Sequence, residues 1–275
     1  MKICLIIFSL LIHVPWTTAQ ANNHVQQKAS YIFSVLPYRP IPKLEADFSP
    51  FISEINRHSH FTMSLKLSLN SIKYFEMLKQ QVPDFALINP FDSVPAQDTF
   101  GYQPVLARPM HRCKVVTLKK NNINTVEDLR NKKVGFASKR SPLSFYSARA
   151  LEKEGLIADK DYIKINHKSL FKCLHSLVIS KVDACTAGQK TVQSFKKHRN
   201  IGFKELAQCE AFPGLVLMAH ERVSKSDVEQ FKKVFLNRQN QTKSKVGHKH
   251  KGFGPYISDR YESIRKHYSQ WLNDQ

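Results

Sequence analysis

The chain has 275 residues, a hydrophobic share of 42%, and 42 Lys and Arg against 22 Asp and Glu, for a formal net charge of +20. That composition supplies enough aliphatic and aromatic side chains for one large or two modest cores, and it excludes a low-complexity chain. The positive excess concentrates anions around the molecule and speeds their capture, and it would also suit nucleic acid or an acidic membrane surface.

Met1-Lys2 is a short positive start, Ile3 to Val14 is apolar except for Ser9 and His13, and Thr17-Thr18-Ala19-Gln20-Ala21 is a run of mostly small residues. This order predicts a cleavable secretory signal peptide over 1–21, cut after Ala19 or Ala21. The apolar run is short for a membrane anchor, the alternative reading. Cys4 lies too early to be a lipoprotein cysteine. The chain from about Asn22 onward is then expected as a soluble protein in an oxidising compartment; a monomer is expected. Its charge is +20 less the single Lys2 charge, or +19.

In chain order, Tyr31 to Leu36 reads as a strand stopped by Pro37, and Pro37, Pro40 and Pro42 predict a stiff loop. Leu44, Phe48, Phe51, Ile52 and Ile55 recur at helical spacing, so a helix is expected over Leu44 to His58. Phe61, Met63, Leu65, Leu67 and Leu69 alternate with polar residues as in a half-buried strand. Asn70 can cap a helix through Gln81, and Asp84 to Ile88 is a short strand before the loop Asn89-Pro90-Phe91. Strands at Tyr102–Ala107 and Cys113–Leu118 follow. Thr125-Val-Glu-Asp128 is a capping box. Then come a strand at Lys133–Ala137, a helix at Ser144–Glu154 stopped by Gly155, a strand at Tyr162–Asn166, a helix at Lys168–Ser180, a strand at Val182–Ala187 and a helix at Gln189–His198. Strands near Phe203–Ala207 and Leu215–Ala219 precede helices at Ser224–Asn237 and Ser258–Leu272.

Alternating strands and helices imply parallel crossovers. The alternation resumes after Leu118, which predicts two α/β lobes separated by a cleft. One lobe is formed by 22–112 together with a return segment, 211–275, and the other by 113–210. Clefts of this kind are preferred ligand sites. Four cysteines follow the leader, enough for two disulfides or for four small buried side chains. Cys173 shares an apolar helical face with Leu170, Leu174 and Leu177, and Cys185 lies on the next strand, so these two can pair. Cys113 and Cys209 lie on the segments that cross between the lobes and form the other candidate pair.

Candidate chemistry concentrates at Asn131 to Ser144, a strand feeding a Ser-rich basic loop and then a helix. A helix start holds anions through its unpaired N–H groups and its dipole. Ser138, Ser141 and Ser144 add hydroxyls, and Lys139 and Arg140 add charge. The plainer reading is that the serines only cap the helix. His167 ends a strand and can donate to an anion, or can simply face solvent. Tyr38, Asn89 and Phe91 follow parallel strands at their carboxyl ends, where α/β sheets bind ligands, although Phe91 could equally be core. Asp183 could act as an acid or form a turn. There is no nucleophile elbow, phosphate-binding glycine loop, His-Glu-x-x-His, zinc spacing or basic recognition helix. No enzyme, cofactor, metal or nucleic-acid partner is therefore expected.

Six segments together resemble the periplasmic phosphonate-binding proteins of ABC importers, of the type 2 periplasmic binding protein fold. They are Val35 to Pro40, Asp84 to Phe91, Thr125 to Phe136, His167 with its helix to Ala184, Phe212-Pro213, and Gly254 to Arg265. The resemblance implies that Tyr38 and Phe91 face a ligand and that His167 contributes to its binding. A Ser-Thr-Ser phosphonate-binding run would fall at Ser141-Pro142-Leu143, where one hydroxyl survives. Thr186 lies near a place where some relatives carry an acid. The expected partners are a small anionic solute, phosphonate- or phosphate-like, and a membrane permease. The alternatives are a sensing module of the same fold docked on a membrane receptor, or a basic extracellular protein that binds polyanions.

Overall fold

The computed structural model describes residues 28–240 and 252–275. The expected leader over 1–21 and the basic stretch 243–251 lie outside the described residues. The chain opens with β1 (Ser30–Val35), α1 (Ile41–His58), β2 (Thr62–Leu67), α2 (Ser71–Lys79), β3 (Phe85–Ile88), α3 (Ser93–Asp98) and β4 (Tyr102–Ala107). Helix α1 buries Leu44, Phe48, Phe51, Ile52 and Ile55. It starts before the apolar periodicity because Pro42 sits in its first turn, where a missing N–H costs nothing. Asn70 caps α2 by accepting from the Lys73 N–H at 2.9 Å.

A second series follows: β5 (Cys113–Leu118), β6 (Lys133–Phe136), α4 (Pro142–Lys153), β7 (Ile163–Asn166), α5 (Leu170–Val178), β8 (Ala184–Gly188), α6 (Gln189–Arg199) and β9 (Phe203–Gln208). The capping box at Thr125 closes a short 3-10 turn, in which the Asp128 carboxylate accepts from the Asn124 and Thr125 N–H groups. The chain ends with β10 (Val216–His220), α7 (Lys225–Asn240) and α8 (Glu262–Asn273).

Two five-stranded sheets result, in the orders β2-β1-β3-β10-β4 and β7-β6-β8-β5-β9. Each carries three adjacent parallel strands, then an antiparallel strand, then a fifth strand antiparallel to that one. The molecule is thus a two-lobed α/β protein. The antiparallel strand of the first sheet, β10, is entered only after the second sheet is complete. One face of the first sheet packs against α1 and α7 through Phe33, Phe48, Phe51, Phe231 and Phe235. Phe85 stacks on Phe231 at 4.2 Å between ring centres.

The segments between the sheets, from Ala107 to Cys113 and from Gln208 to Val216, run side by side as an antiparallel ribbon. The Arg108 N–H donates to the Leu215 carbonyl at 2.8 Å, and His111 and Phe212 exchange bonds of 2.7 and 2.9 Å. Cys113 and Cys209 form a disulfide across the ribbon, with Cα atoms 5.2 Å apart. Gly214 permits this approach, since a Cβ there would lie 2.6 Å from Arg108 Cβ and 2.7 Å from the Pro109 carbonyl. A second disulfide joins Cys173 on α5 to Cys185 on β8, with Cα atoms 5.9 Å apart.

The sequence predicts that both final helices return to the first lobe, but they behave differently. Helix α7 packs on α1 and β4. Helix α8 bridges the two sheets. On one side Arg265 pairs with Asp98 at 2.6 Å and Trp271 stacks on Phe91 at 4.8 Å. On the other, Arg149 donates to Gln270 at 2.8 Å and Gln275 donates to the Lys139 carbonyl at 3.4 Å. An amphipathic pattern marks the buried face of such a helix without naming its neighbours.

Candidate functional site

Both sheets turn the carboxyl ends of their parallel strands toward the ribbon. Ile88, the last residue of β3, pairs with Val216, and Gly188, the last of β8, pairs with Cys113. The loops after β1, β3, β6 and β8 therefore gather beside the ribbon.

Tyr38, after β1, keeps 37% of its surface exposed. Partial burial raises its hydroxyl pKa, against the pull of the nearby Arg108 charge. On the ribbon, burial first and then the Arg108 and Lys190 charges lower His111 to about 4, so its ring is neutral at physiological pH. Lys190 stands at the start of α6. Arg108 and Lys190 thus form a cationic pair around the neutral His111 ring, and Tyr38 borders Arg108 from the first sheet. None of these three residues is singled out by the sequence reading. The signal was present in Arg108-Pro-Met-His-Arg112, a cation-rich connection between two strands.

The residues that the sequence does single out are dispersed. Ser141 occupies the N-cap position of α4, yet its hydroxyl makes no capping bond to the helix. The Ser138 carbonyl accepts from the Ser141 N–H at 2.9 Å, closing the turn that presents both serines. Arg140 points across to the other lobe. It donates to the Asp92 carboxylate, and its guanidinium lies 4.6 Å from the Phe75 ring centre and 4.9 Å from that of Trp271. Asn89 is buried, and its side chain is committed to Asp92, donating to the carboxylate and accepting from the Asp92 N–H at 3.0 Å.

Phe91 does not line an open cleft, contrary to the expectation from its position. It is 0% exposed, stacked on Trp271 and edge-on to Phe145 at 5.1 Å. Apolar side chains from α4, α8 and the β3 loop fill this side of the interlobe space, and water exclusion favours that filling over ligand contact. Phe91→Tyr would bury a hydroxyl among these rings. It should lower stability by about 1–3 kcal/mol and leave anion affinity unchanged, as read by chemical denaturation alongside calorimetric titration.

Asp183, a candidate acid or turn residue, does not join the residues beside the ribbon. Its carboxylate accepts from the Lys133 N–H at 2.8 Å, at the amino-terminal end of β6 and away from the ribbon. It lines a groove of about 670 Å³ with Lys132, Lys133, Lys181 and His167. His167 directly follows the edge strand β7, three strand spacings or about 14 Å from β5. Burial lowers its pKa, and its Nε2 has no hydrogen-bond partner among the described residues. Thr186 is fully buried on β8, and its hydroxyl likewise has no partner among them. Among the described residues, no group of three His, Cys, Asp or Glu side chains could hold a metal ion. No helix among them is long and apolar enough to cross a membrane.

The profile of the phosphonate ABC transporter periplasmic substrate-binding proteins matches residues 33–261. The chain belongs to this family. Members of this periplasmic substrate-binding family are binding components of transporters and not enzymes. No curated protein sequence matches the chain. Among solved structures, the PhnD1 protein of Prochlorococcus marinus in complex with methylphosphonate is similar, with a TM-score of 0.74 and 15% identity over 90% of this chain and 99% of that one. A binding-protein component of an ABC phosphonate transporter from Pseudomonas aeruginosa has a TM-score of 0.71 and 13% identity over 90% and 88%. The alkanesulfonate-binding protein SsuA of Xanthomonas axonopodis pv. citri, bound to MOPS, has a TM-score of 0.63 and 13% identity over 90% and 94%. At these identities the likeness to the solved structures is one of fold, and it matches the two-lobed architecture.

Proposed function

We propose that this substrate-binding protein captures a small oxyanion, phosphonate- or phosphate-like, beside the ribbon and delivers it to the permease of an ABC importer. Residues 22–112 and 211–275 serve as one lobe and 113–210 as the other, and a cleaved leader over 1–21 delivers the protein to the periplasm. The observation that carries this reading is the pair of cations Arg108 and Lys190 flanking the neutral His111 ring at the facing sheet ends, with Tyr38 on one side. Ser138 and Ser141 supply hydroxyls and the α4 start supplies N–H groups, which suit a tetrahedral anion. Only Ser141 remains of the expected Ser-Thr-Ser run. Pro142 and Leu143 cannot donate side-chain bonds, so the charged groups compensate for the lost hydroxyls. A sulfonate is the second reading, favoured by the likeness to the alkanesulfonate-binding protein.

A thermal-shift panel of methylphosphonate, phosphate, phosphite and methanesulfonate tests both readings. A true ligand at a hundredfold excess over its Kd stabilises the fold by about 2.7 kcal/mol and raises Tm accordingly. Ser141→Ala should weaken the best ligand about tenfold through loss of a charge-assisted bond. If no anion in the panel moves Tm, the reading is wrong.

A further inference from the structure

We propose that Asp92 is an internal competitor for the solute: its carboxylate pairs with Arg140, and an incoming oxyanion takes its place. This inference rests on the oxyanion reading above and names the residue that sets the site's affinity.

The geometry has three parts. First, the Asp92 side chain is 2% exposed, and it meets Arg140 from the other lobe across the space between the β3 and β6 loops. A carboxylate taken out of water must find a counter-charge, and Arg140 is the one it finds. Second, Arg140 is held independently of that pair. Phe75 on α2 and Trp271 on α8 both lie against its guanidinium, so the group keeps its place when its partner changes. Third, Arg140 is not fully used. Its Nε is buried without a hydrogen-bond partner among the described residues, while Nη2 serves Asp92. An anion with two or three oxygens can satisfy both donors, whereas Asp92 reaches only one.

The acidity of Asp92 agrees with a displaceable partner. Burial raises it to about 6, although the Arg140 charge and the bonds from Arg140 and Asn89 pull the other way. The other titratable groups near the carboxylate are Tyr74 on α2 and Tyr268 on α8, and both hydroxyls are shifted upward and stay neutral. As pH falls through about 6, Asp92 takes up a proton, its hold on Arg140 weakens, and an anion of a stronger acid gains the site. Affinity for such an anion should therefore rise with acidification. His111 takes up its proton only near 4, so a rise that is already present between about pH 7.5 and pH 5 belongs to Asp92.

Calorimetric titration of the wild type, Asp92→Asn and Arg140→Gln separates the possibilities. Both substitutions break the ion pair, so a purely structural role would move both in the same direction. The expected result is divergence at about pH 7.5: Asp92→Asn binds methylphosphonate about tenfold more tightly, and Arg140→Gln about tenfold or more weakly. With methanesulfonate, whose charge does not change, wild-type affinity should rise between about pH 7.5 and pH 5, and that of Asp92→Asn should stay flat. If a folded Asp92→Asn binds no more tightly than the wild type while the wild type does bind an anion, the competitor is refuted and the oxyanion reading stands. If none of the three proteins binds either anion, both fall.

Discussion

Replacing Cys113 and Cys209 together by serine should lower the unfolding free energy by about 4–5 kcal/mol, the loop-closure value for a loop of this size. The two residues are 96 positions apart, so the bond restricts most of the second sheet's chain in the unfolded state. Both are buried, and the Cys113 N–H and Ser147 hydroxyl point at the sulfurs, so the serines would also have to be accommodated in a packed site. The Cys173–Cys185 bond closes a span of 12 residues, and its loss should cost about 3 kcal/mol on the same grounds. Urea unfolding of the two double variants beside the wild type checks the order. Equal losses, or a loss below about 1 kcal/mol for the Cys113–Cys209 pair, would contradict the loop-closure account.

Trp271→Ala should cost about 3–5 kcal/mol, in the range of large buried aromatic deletions. Trp271 is 1% exposed, stacks on Phe91, and lies against Arg140 and Tyr268. Its removal opens a cavity where α8 meets both lobes, and the rings around it cannot close the gap without moving α8. Trp271→Phe should cost much less. It keeps an aromatic face for Phe91 and Arg140, and it deletes an indole N–H that has no hydrogen-bond partner among the described residues. The urea midpoints of the two variants measure the difference. A small loss for alanine would mean that α8 is not the element joining the lobes.

Local pattern was enough for most elements. Strict alternation marks β2, helical spacing marks α1, and Asn70 marks the start of α2, because each signal is written within a few neighbouring residues. Resumed alternation after Leu118 likewise made the two-lobed α/β class legible. The six-residue helix α3 went unread because a single turn and a half after Asn89-Pro90-Phe91 has no periodicity to show. The site was less legible for a physical reason. Whether Phe91 meets a solute or a tryptophan depends on Trp271, which lies 180 positions away in sequence. The role of Arg140 depends in the same way on Asp92 and Phe75, contributed by the other lobe. Asp183 looked available because its partner, the Lys133 N–H, belongs to a strand that only the folded sheet brings near. Arg108 and His111 were passed over because the connection they occupy gains meaning only when it pairs with the returning segment at Phe212 and Leu215.

The disulfide at the ribbon also determines what happens when the chain is cut. The polypeptide leaves the first sheet once and re-enters it once, and Cys113–Cys209 ties the exit to the entrance. A protease that cleaves one peptide bond anywhere between 114 and 208 therefore releases nothing, since both pieces stay covalently attached at the neck. Such a nicked protein should run as a single band on a non-reducing gel and as two after a thiol is added. The surface loops of the inserted portion can be cleaved without costing the protein its second lobe.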